Sequence, residues 1–367
     1  MAKNIMIVDD SALMRRILCD IISSNNRYEV TDTCKNGQEA LLKLRTKSYD
    51  AVLLDVNMPV MDGLQLLEQL QKENIETTVI MVSTLTAKDA DITIRAMELG
   101  AADFITKPEN IFETKGKEFA DNLFLLLGTV LRSANCRHLL TKSAGNISSA
   151  VSSLSATKFA SSDKRSSRAI PTAKGLKLIA LASSTGGPKA LQSVIPHLPE
   201  NMDAPMVLVQ HMPAGFTASM ARRLNELSKV EVKEAEDGDI LKKGVVYIAA
   251  GGRHMRIIPS GSEHVIRLSD EPPVSGLRPC ADIMYESLSD CRFDSICCVV
   301  LTGMGSDGTR GISQLAMHCK GIFTIAQDAD TCVVYGMPKS VNEAGLANEV
   351  VPLEKVVGTI IRNIGVR

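Results

Sequence analysis

Between Asn4 and Ala134 the chain repeats one pattern: a short run of Val, Ile and Leu, a turn, then a longer amphipathic segment. The apolar runs at 4–10, 28–34, 49–55, 77–84 and 102–107 are nearly continuous, as strands buried on both faces require. Stretches such as 13–22 and 64–72 carry apolar residues at helical spacing and read as the connections. This alternation predicts an α/β unit, doubly wound (flavodoxin-like), with about five parallel strands.

The pattern then changes. Ser pairs at 148–149, 152–153, 161–162 and 166–167 surround the basic pair Lys164 and Arg165, and nothing apolar recurs. Residues 135–174 are therefore expected to be a solvated, Ser-rich basic linker between domains at 1–134 and 175–367. The spacing of Phe119, Leu123, Leu126, Leu127, Val130 and Leu131 extends the last helix of the first domain towards it. From Gly175 a second α/β pattern begins, with strands at 176–184 and 204–211 and a helix at 188–198. Four short alternating runs at 230–235, 244–250, 254–259 and 264–268, broken by Asp-Gly, Gly-Gly and Ser-Gly turns, predict hairpin structure inserted into the sheet. Segments 295–302, 308–319, 321–327 and 353–364 return to strand–helix alternation, so the second domain reads as a mostly parallel α/β sheet with an inserted β-hairpin.

Composition narrows the function. A length of 367 residues is enough for two separate cores. With 41 basic and 42 acidic residues the formal charge is -1, which excludes nucleic-acid or membrane-surface binding by bulk charge. Trp is absent and aromatics make up 4%, so stacking platforms for bases or sugars have no material. The nine cysteines show no Cys-x-x-Cys pair suited to zinc, and no apolar stretch is long enough for a leader or a membrane span. A soluble, cytoplasmic chain with no direct membrane insertion is expected.

Asp9 and Asp10 end the first predicted strand, Asp55 the third, Ser83-Thr84 the fourth and Lys107-Pro108 the fifth. The carboxyl ends of parallel strands share one edge, so these side chains converge. Three adjacent carboxylates repel one another unless a hard divalent cation lies among them, and Mg²⁺ suits all-oxygen ligands. With that cation and Lys107 neutralising charge, Asp55 can attack a phosphoryl donor, and Ser83 can hydrogen-bond the transferred group. Any single strand-end Asp reads first as a helix cap; the set does not. The spacing, with Met58-Pro59-Val60-Met61-Asp62-Gly63, resembles the receiver domain of two-component response regulators. That resemblance implies phosphorylation at Asp55, with Asp9, Asp10, Asp55 and the backbone carbonyl of Asn57 around the metal, and Phe104 as aromatic switch residue.

In the second half, Ser183-Ser184-Thr185-Gly186-Gly187-Pro188 runs from a strand into a helix. A Ser raised on such a turn, with glycines letting N–H groups face an oxyanion, suits acyl transfer. Alone, the turn reads first as a phosphate cradle or a plain helix cap. Gln210-His211-Met212-Pro213 closes the next strand, and Leu301-Thr302-Gly303-Met304-Gly305-Ser306-Asp307-Gly308 closes another. If the three strands are neighbours, Ser184, His211 and Asp307 meet as nucleophile, base and orienting acid. The order Ser, His, Asp and the lack of a Gly-x-Ser-x-Gly elbow disfavour lipases and esterases of the α/β-hydrolase type.

These three motifs behind a receiver closely resemble the chemotaxis protein-glutamate methylesterases, over nearly the whole chain. The resemblance implies a carboxylic ester hydrolase acting on glutamate γ-methyl esters of the cytoplasmic helices of chemoreceptors, and in many members deamidation of receptor glutamines. It implies a chemotaxis histidine kinase as phosphodonor and no cofactor for the hydrolysis itself. Backbone N–H groups near Met304 and Thr185 are expected to stabilise the oxyanion. Ser183 stands as a rival nucleophile, and Arg253 and Tyr335 are candidate contacts to the receptor. A receiver on a flexible tether further implies a switch in which the unphosphorylated receiver covers the catalytic edge. A non-catalytic adaptor that only binds receptor helices is the competing reading, although binding alone needs no triad.

Overall fold

Ile5, Ile7, Leu53, Leu54 and Ile80 have no exposed surface, and strands of this kind need helices on both faces. The computed structural model describes residues 2–108, 117–145 and 175–366. Its first sheet contains β1 (Lys3–Val8), β2 (Tyr28–Cys34), β3 (Ala51–Asp55), β4 (Val79–Ser83) and β5 (Asp103–Thr106), all parallel, in the order β2-β1-β3-β4-β5. Helices α1 (Ala12–Ser23), α2 (Gly37–Leu44), α3 (Gly63–Lys72), α4 (Ala87–Glu98) and α5 (Lys117–Gly145) connect or follow the strands. Local sequence starts them where expected: Ser11 caps α1, and Asp62 with Gln65 forms a reciprocal capping box on α3. Strand order reverses between β1 and β3, which opens a crevice at their carboxyl ends.

The second sheet has seven parallel strands, in the order β14-β13-β12-β6-β7-β9-β8. In chain order its elements are β6 (Lys177–Ser183), α6 (Gly187–Val194), β7 (Met206–Gln210), α7 (Phe216–Leu227), β8 (Glu231–Glu234), β9 (Val245–Ile248), β10 (His254–Ser260), β11 (Glu263–Ser269), α8 (Ala281–Ser287), β12 (Ser295–Val300), α9 (Thr309–His318), β13 (Ile322–Gln327), α10 (Met337–Glu343), β14 (Glu349–Val351) and α11 (Leu353–Ile364). The chain builds outwards from β6 to β7 on one side and later from β12 to β13 on the other. The switch point therefore lies between β6 and β12.

One expectation changes. Of the four short alternating runs only β10 and β11 pair as a hairpin, and they form a sheet of their own; β8 and β9 extend the main sheet in parallel. Alternation reports one buried face but not strand direction. Direction here is set by the connection 235–244, which docks on β11 through Gly238 N to Ile266 O at 2.9 Å and Leu268 N to Asp237 Oδ1 at 2.8 Å. The last receiver helix runs on to Gly145, into the stretch expected as linker; the rest of that linker, 146–174, lies outside the described residues.

The two units touch. Ala90 and Ile94 of α4 share one buried cluster with Leu191 of α6 and with Phe216, Met220 and Leu224 of α7. Phe104 of β5 stacks on Phe216 with ring centroids 4.6 Å apart. At the rim, Arg223 donates to both oxygens of Glu98 at 2.7 and 3.1 Å, and Arg222 pairs with Asp91. Part-exposed ion pairs contribute roughly 0–1 kcal/mol each, whereas burying one Ile contributes about 1.5–3 kcal/mol. Adhesion therefore rests on Ala90, Ile94 and the phenylalanine pair, and the charges set register.

Candidate active site and acidic pocket

In the first unit, one ligand oxygen from each of Asp9, Asp10 and Asp55 can be chosen so that all lie within 4.8 Å of one another. Lys107 Nζ sits 2.8 Å from both Asp9 and Asp55. Burial and the neighbouring charge of Asp9 push the Asp55 carboxyl up to about 6, against the lowering pull of Lys107. A single lysine does not neutralise three carboxylates, and this hard, all-oxygen donor set fits a Mg²⁺ ion. The Asn57 side-chain amide donates to Asp89 at 2.6 Å. The hydroxyls of Ser83 and Thr93 are hydrogen-bonded at 2.8 Å.

In the second unit, strand adjacency assembles the polar groups. β12, β6 and β7 are consecutive neighbours, with Val300 opposite Ala182 and Ser183 opposite Gln210, so Ser184, His211 and Asp307 leave the sheet at one edge. The turn after β6 is possible because of its glycines. Gly186 holds φ +75°, and a Cβ on Gly187 would lie 1.9 Å from Gln210 Oε1. His211 Nε2 is 2.7 Å from Asp307 Oδ2. Asp307 is pulled down to about 2, since its contacts with His211 and the N–H groups of Ala281 and Asp282 outweigh its burial. An ionised carboxylate only accepts, so in this contact His211 donates from Nε2, which leaves Nδ1 as the other ring nitrogen. Ser184, Thr185, His211, Pro213 and Met304 line a cavity of about 290 Å³.

Across that cavity stand receiver residues: Asp103, Phe104 and Thr106 from β5, and Asn122, Leu125 and Thr129 from α5. Thr129 Oγ1 lies 3.2 Å from Met304 Sδ. Asp103 faces the Thr185 hydroxyl and the Gly186 N–H, and burial pushes its carboxyl up to about 6. The receiver thus roofs the cavity that Ser184 and His211 line.

Ser183 differs from its neighbour. It is fully buried and donates to Gln210 Oε1 at 2.7 Å, so its hydroxyl is spent inside the sheet edge. Gln210 in turn donates to the carbonyls of Ser184 and His211 at 3.0 and 3.2 Å, tying the two turns together. Sequence reasoning passed over Gln210, Asp103 and Cys280; only Gln210 carried a signal, its position just before His211. Arg253 is paired with Asp270 at 3.1 Å, and Tyr335 forms a bridge to Gly303.

Comparison with known proteins follows the same division. The family model described as CheB methylesterase matches residues 179–360, and the response regulator receiver domain model matches residues 5–115. A protein-glutamate methylesterase/protein-glutamine glutaminase of Halalkalibacterium halodurans is 40% identical over 358 residues, covering 98% of this chain and 97% of that protein. The protein of the same name from Pyrococcus abyssi is 38% identical, covering 98% of this chain and 93% of its own length. The crystal structure of the Thermotoga maritima CheB methylesterase catalytic domain is 43% identical, covers 51% of this chain and 97% of that one, and has a TM-score of 0.49.

Proposed function

The chain belongs to the CheB methylesterase family, and from that premise we propose a phosphorylation-activated protein-glutamate methylesterase that hydrolyses glutamate γ-methyl esters on the cytoplasmic helices of chemoreceptors. Ser184 is the nucleophile, His211 the base and Asp307 the residue that orients it. The observation that carries this reading is the contact of His211 with an ionised Asp307, on the wall of the cavity that Ser184 also lines.

Nδ1 of His211 takes the Ser184 proton as Oγ bonds to the ester carbonyl, and the imidazolium is held by Asp307. Donors around Thr185 and Met304 stabilise the oxyanion, a contribution of about 3 kcal/mol per donor. Collapse expels methoxide, which takes the proton from His211 and leaves as methanol. Water, deprotonated by the same nitrogen, then cleaves the acyl-enzyme to the glutamate carboxylate. The same steps on a glutamine side chain release ammonia, which accounts for deamidation without further residues.

The receiver controls access. Asp55 is the phosphorylation site, a chemotaxis histidine kinase the donor, and Asp9, Asp10, Asp55 and the Asn57 carbonyl the holders of Mg²⁺. When bound, the ion neutralises the carboxylates and the incoming phosphoryl oxygens. Lys107 pairs with Asp55 and Asp9, and Ser83 binds the transferred group. Domains at 1–134 and 175–367 joined by a tether at 135–174 let the roof lift without dissociating, and the site works in the cytoplasm, where its substrate helices lie. The test is methanol release from methylated receptor, with mass spectrometry of receptor peptides showing loss of one methylene per ester. Ser184→Ala lowers release on the order of 10⁶-fold, whereas Ser183→Ala retains it. Equal release by wild type and Ser184→Ala would remove the enzyme reading and leave a binding adaptor.

A further inference from the structure

Asp307 is surrounded by donors beyond the one that His211 supplies. Its Oδ2 accepts from His211 Nε2 at 2.7 Å and from Ala281 N at 2.6 Å. Its Oδ1 accepts from Asp282 N at 2.8 Å, from Gly308 N at 3.0 Å and from the thiol of Cys280 at 3.2 Å. Four of these five come from main chain or from the base itself. Among the described residues the Cys280 thiol is the one further side-chain donor to this carboxylate, and it is 1% exposed.

We propose that Cys280 is a positioning residue for the hydrolytic site: its S–H anchors Oδ1 of Asp307, so that Oδ2 stays aligned with His211 Nε2. A carboxylate turns about its Cβ–Cγ bond, and this torsion is soft. The donors on Oδ1 decide where that torsion rests, and with it the direction of the acceptor that His211 meets. Cys280 immediately precedes α8, whose first two N–H groups also bind Asp307, so the thiol and those amides form one rigid cradle. Burial, with the charges of Asp307 and Asp282 beside it, pushes the thiol up to about 12, so it remains S–H and a donor throughout the working range. A sulfur at this place is otherwise only packing, and the two roles separate on substitution. Ser keeps a donor, Val keeps bulk without one, and Ala keeps neither.

This inference rests on the triad assigned under Proposed function. The experiment compares full-length wild type with Cys280→Ser, Cys280→Val and Cys280→Ala, in methanol release from methylated receptor and in the downfield NMR resonance of the His211 Nε2 proton. Positioning predicts that Ala and Val both lower kcat by roughly tenfold, about what one hydrogen bond to a charged group contributes, with KM unchanged. It also predicts that both move the Nε2–H resonance upfield and that Ser restores rate and resonance together. A Val variant with wild-type rate and resonance, or a Ser variant as impaired as Ala, overturns the proposal in favour of packing. Absence of turnover in wild type would instead refute the enzyme reading, and the resonance would still report whether Cys280 holds the Asp307–His211 contact.

Discussion

Asp103 offers a quantitative handle on how the receiver sits on its partner domain. It is 8% exposed, accepts from Phe104 N at 2.8 Å and faces Thr185 and Gly186 across the boundary; burial outweighs these donors and lifts its carboxyl from 3.8 to about 6. A raised carboxyl pKa means that the closed arrangement binds a proton more readily than one in which Asp103 meets water. Closure is therefore least penalised below 3.8, and the penalty grows as pH rises and is complete above 6. At about 1.36 kcal/mol per unit, the shift amounts to about 3 kcal/mol, or roughly 100-fold in the open-to-closed ratio. Asp103→Asn keeps an acceptor oxygen and removes the charge. Near neutral pH the variant should close more tightly and show basal ester hydrolysis lower by up to roughly 100-fold; by about pH 5 the difference should shrink about tenfold. The assay is the ratio of variant to wild-type rate at each pH, which cancels any titration common to both. A ratio near one at neutral pH, or a faster variant, refutes the assignment of Asp103 as a charge held at a cost in the closed form.

Other substitutions test neighbouring links. Asp55→Asn should abolish activation by a small-molecule phosphodonor while basal hydrolysis persists, and chelation of Mg²⁺ should do the same to wild type; activation surviving either treatment contradicts the acidic pocket as the input. Arg223→Ala frees Glu98 and should raise basal activity about two- to fivefold, the yield of a part-exposed ion pair, with no change in the phosphorylated rate. Gln210→Leu leaves the carbonyls of Ser184 and His211 and the Ser183 hydroxyl short of a partner and should lower stability by about 2–4 kcal/mol in denaturant unfolding. A loss under about 1 kcal/mol would mean that water satisfies those groups instead.

Periodicity carried the receiver well because its strands are buried on both faces and its helices are capped locally, as at Ser11 and Asp62. That Ser184, His211 and Asp307 leave the sheet at one edge followed from a general rule, that parallel strands end at one edge, combined with residues that few strand ends carry. What could not be read has one physical origin: it depends on which surfaces meet. Alternation in β8 and β9 looked like hairpin structure because pattern encodes facing and not direction. Asp103, one residue before the aromatic at 104, gave no sign of contact with Thr185, since nothing local specifies that β5 of one unit packs on the turn after β6 of another. Cys280 was invisible for the same reason: its partner lies 27 residues away, after another strand.

The placement of α4 explains how chemistry at one edge can reach the other. Thr93 on this helix is hydrogen-bonded to Ser83, at the end of the strand beside Asp55. One turn either side, Ala90, Asp91, Ile94 and Glu98 carry the contacts with α6 and α7. On the proposed reading, a phosphoryl group on Asp55 would compete for the Ser83 hydroxyl, and the bond to Thr93 would then be remade or lost. Only a differential contact of this kind can shift the equilibrium, and one hydrogen bond of about 1 kcal/mol changes it by roughly fivefold. Larger activation requires the phenylalanine stack and the Ile94 contact to be released together. They form one continuous apolar patch with Ala90, so displacement of α4 and β5 is expected to break them as a unit rather than one at a time.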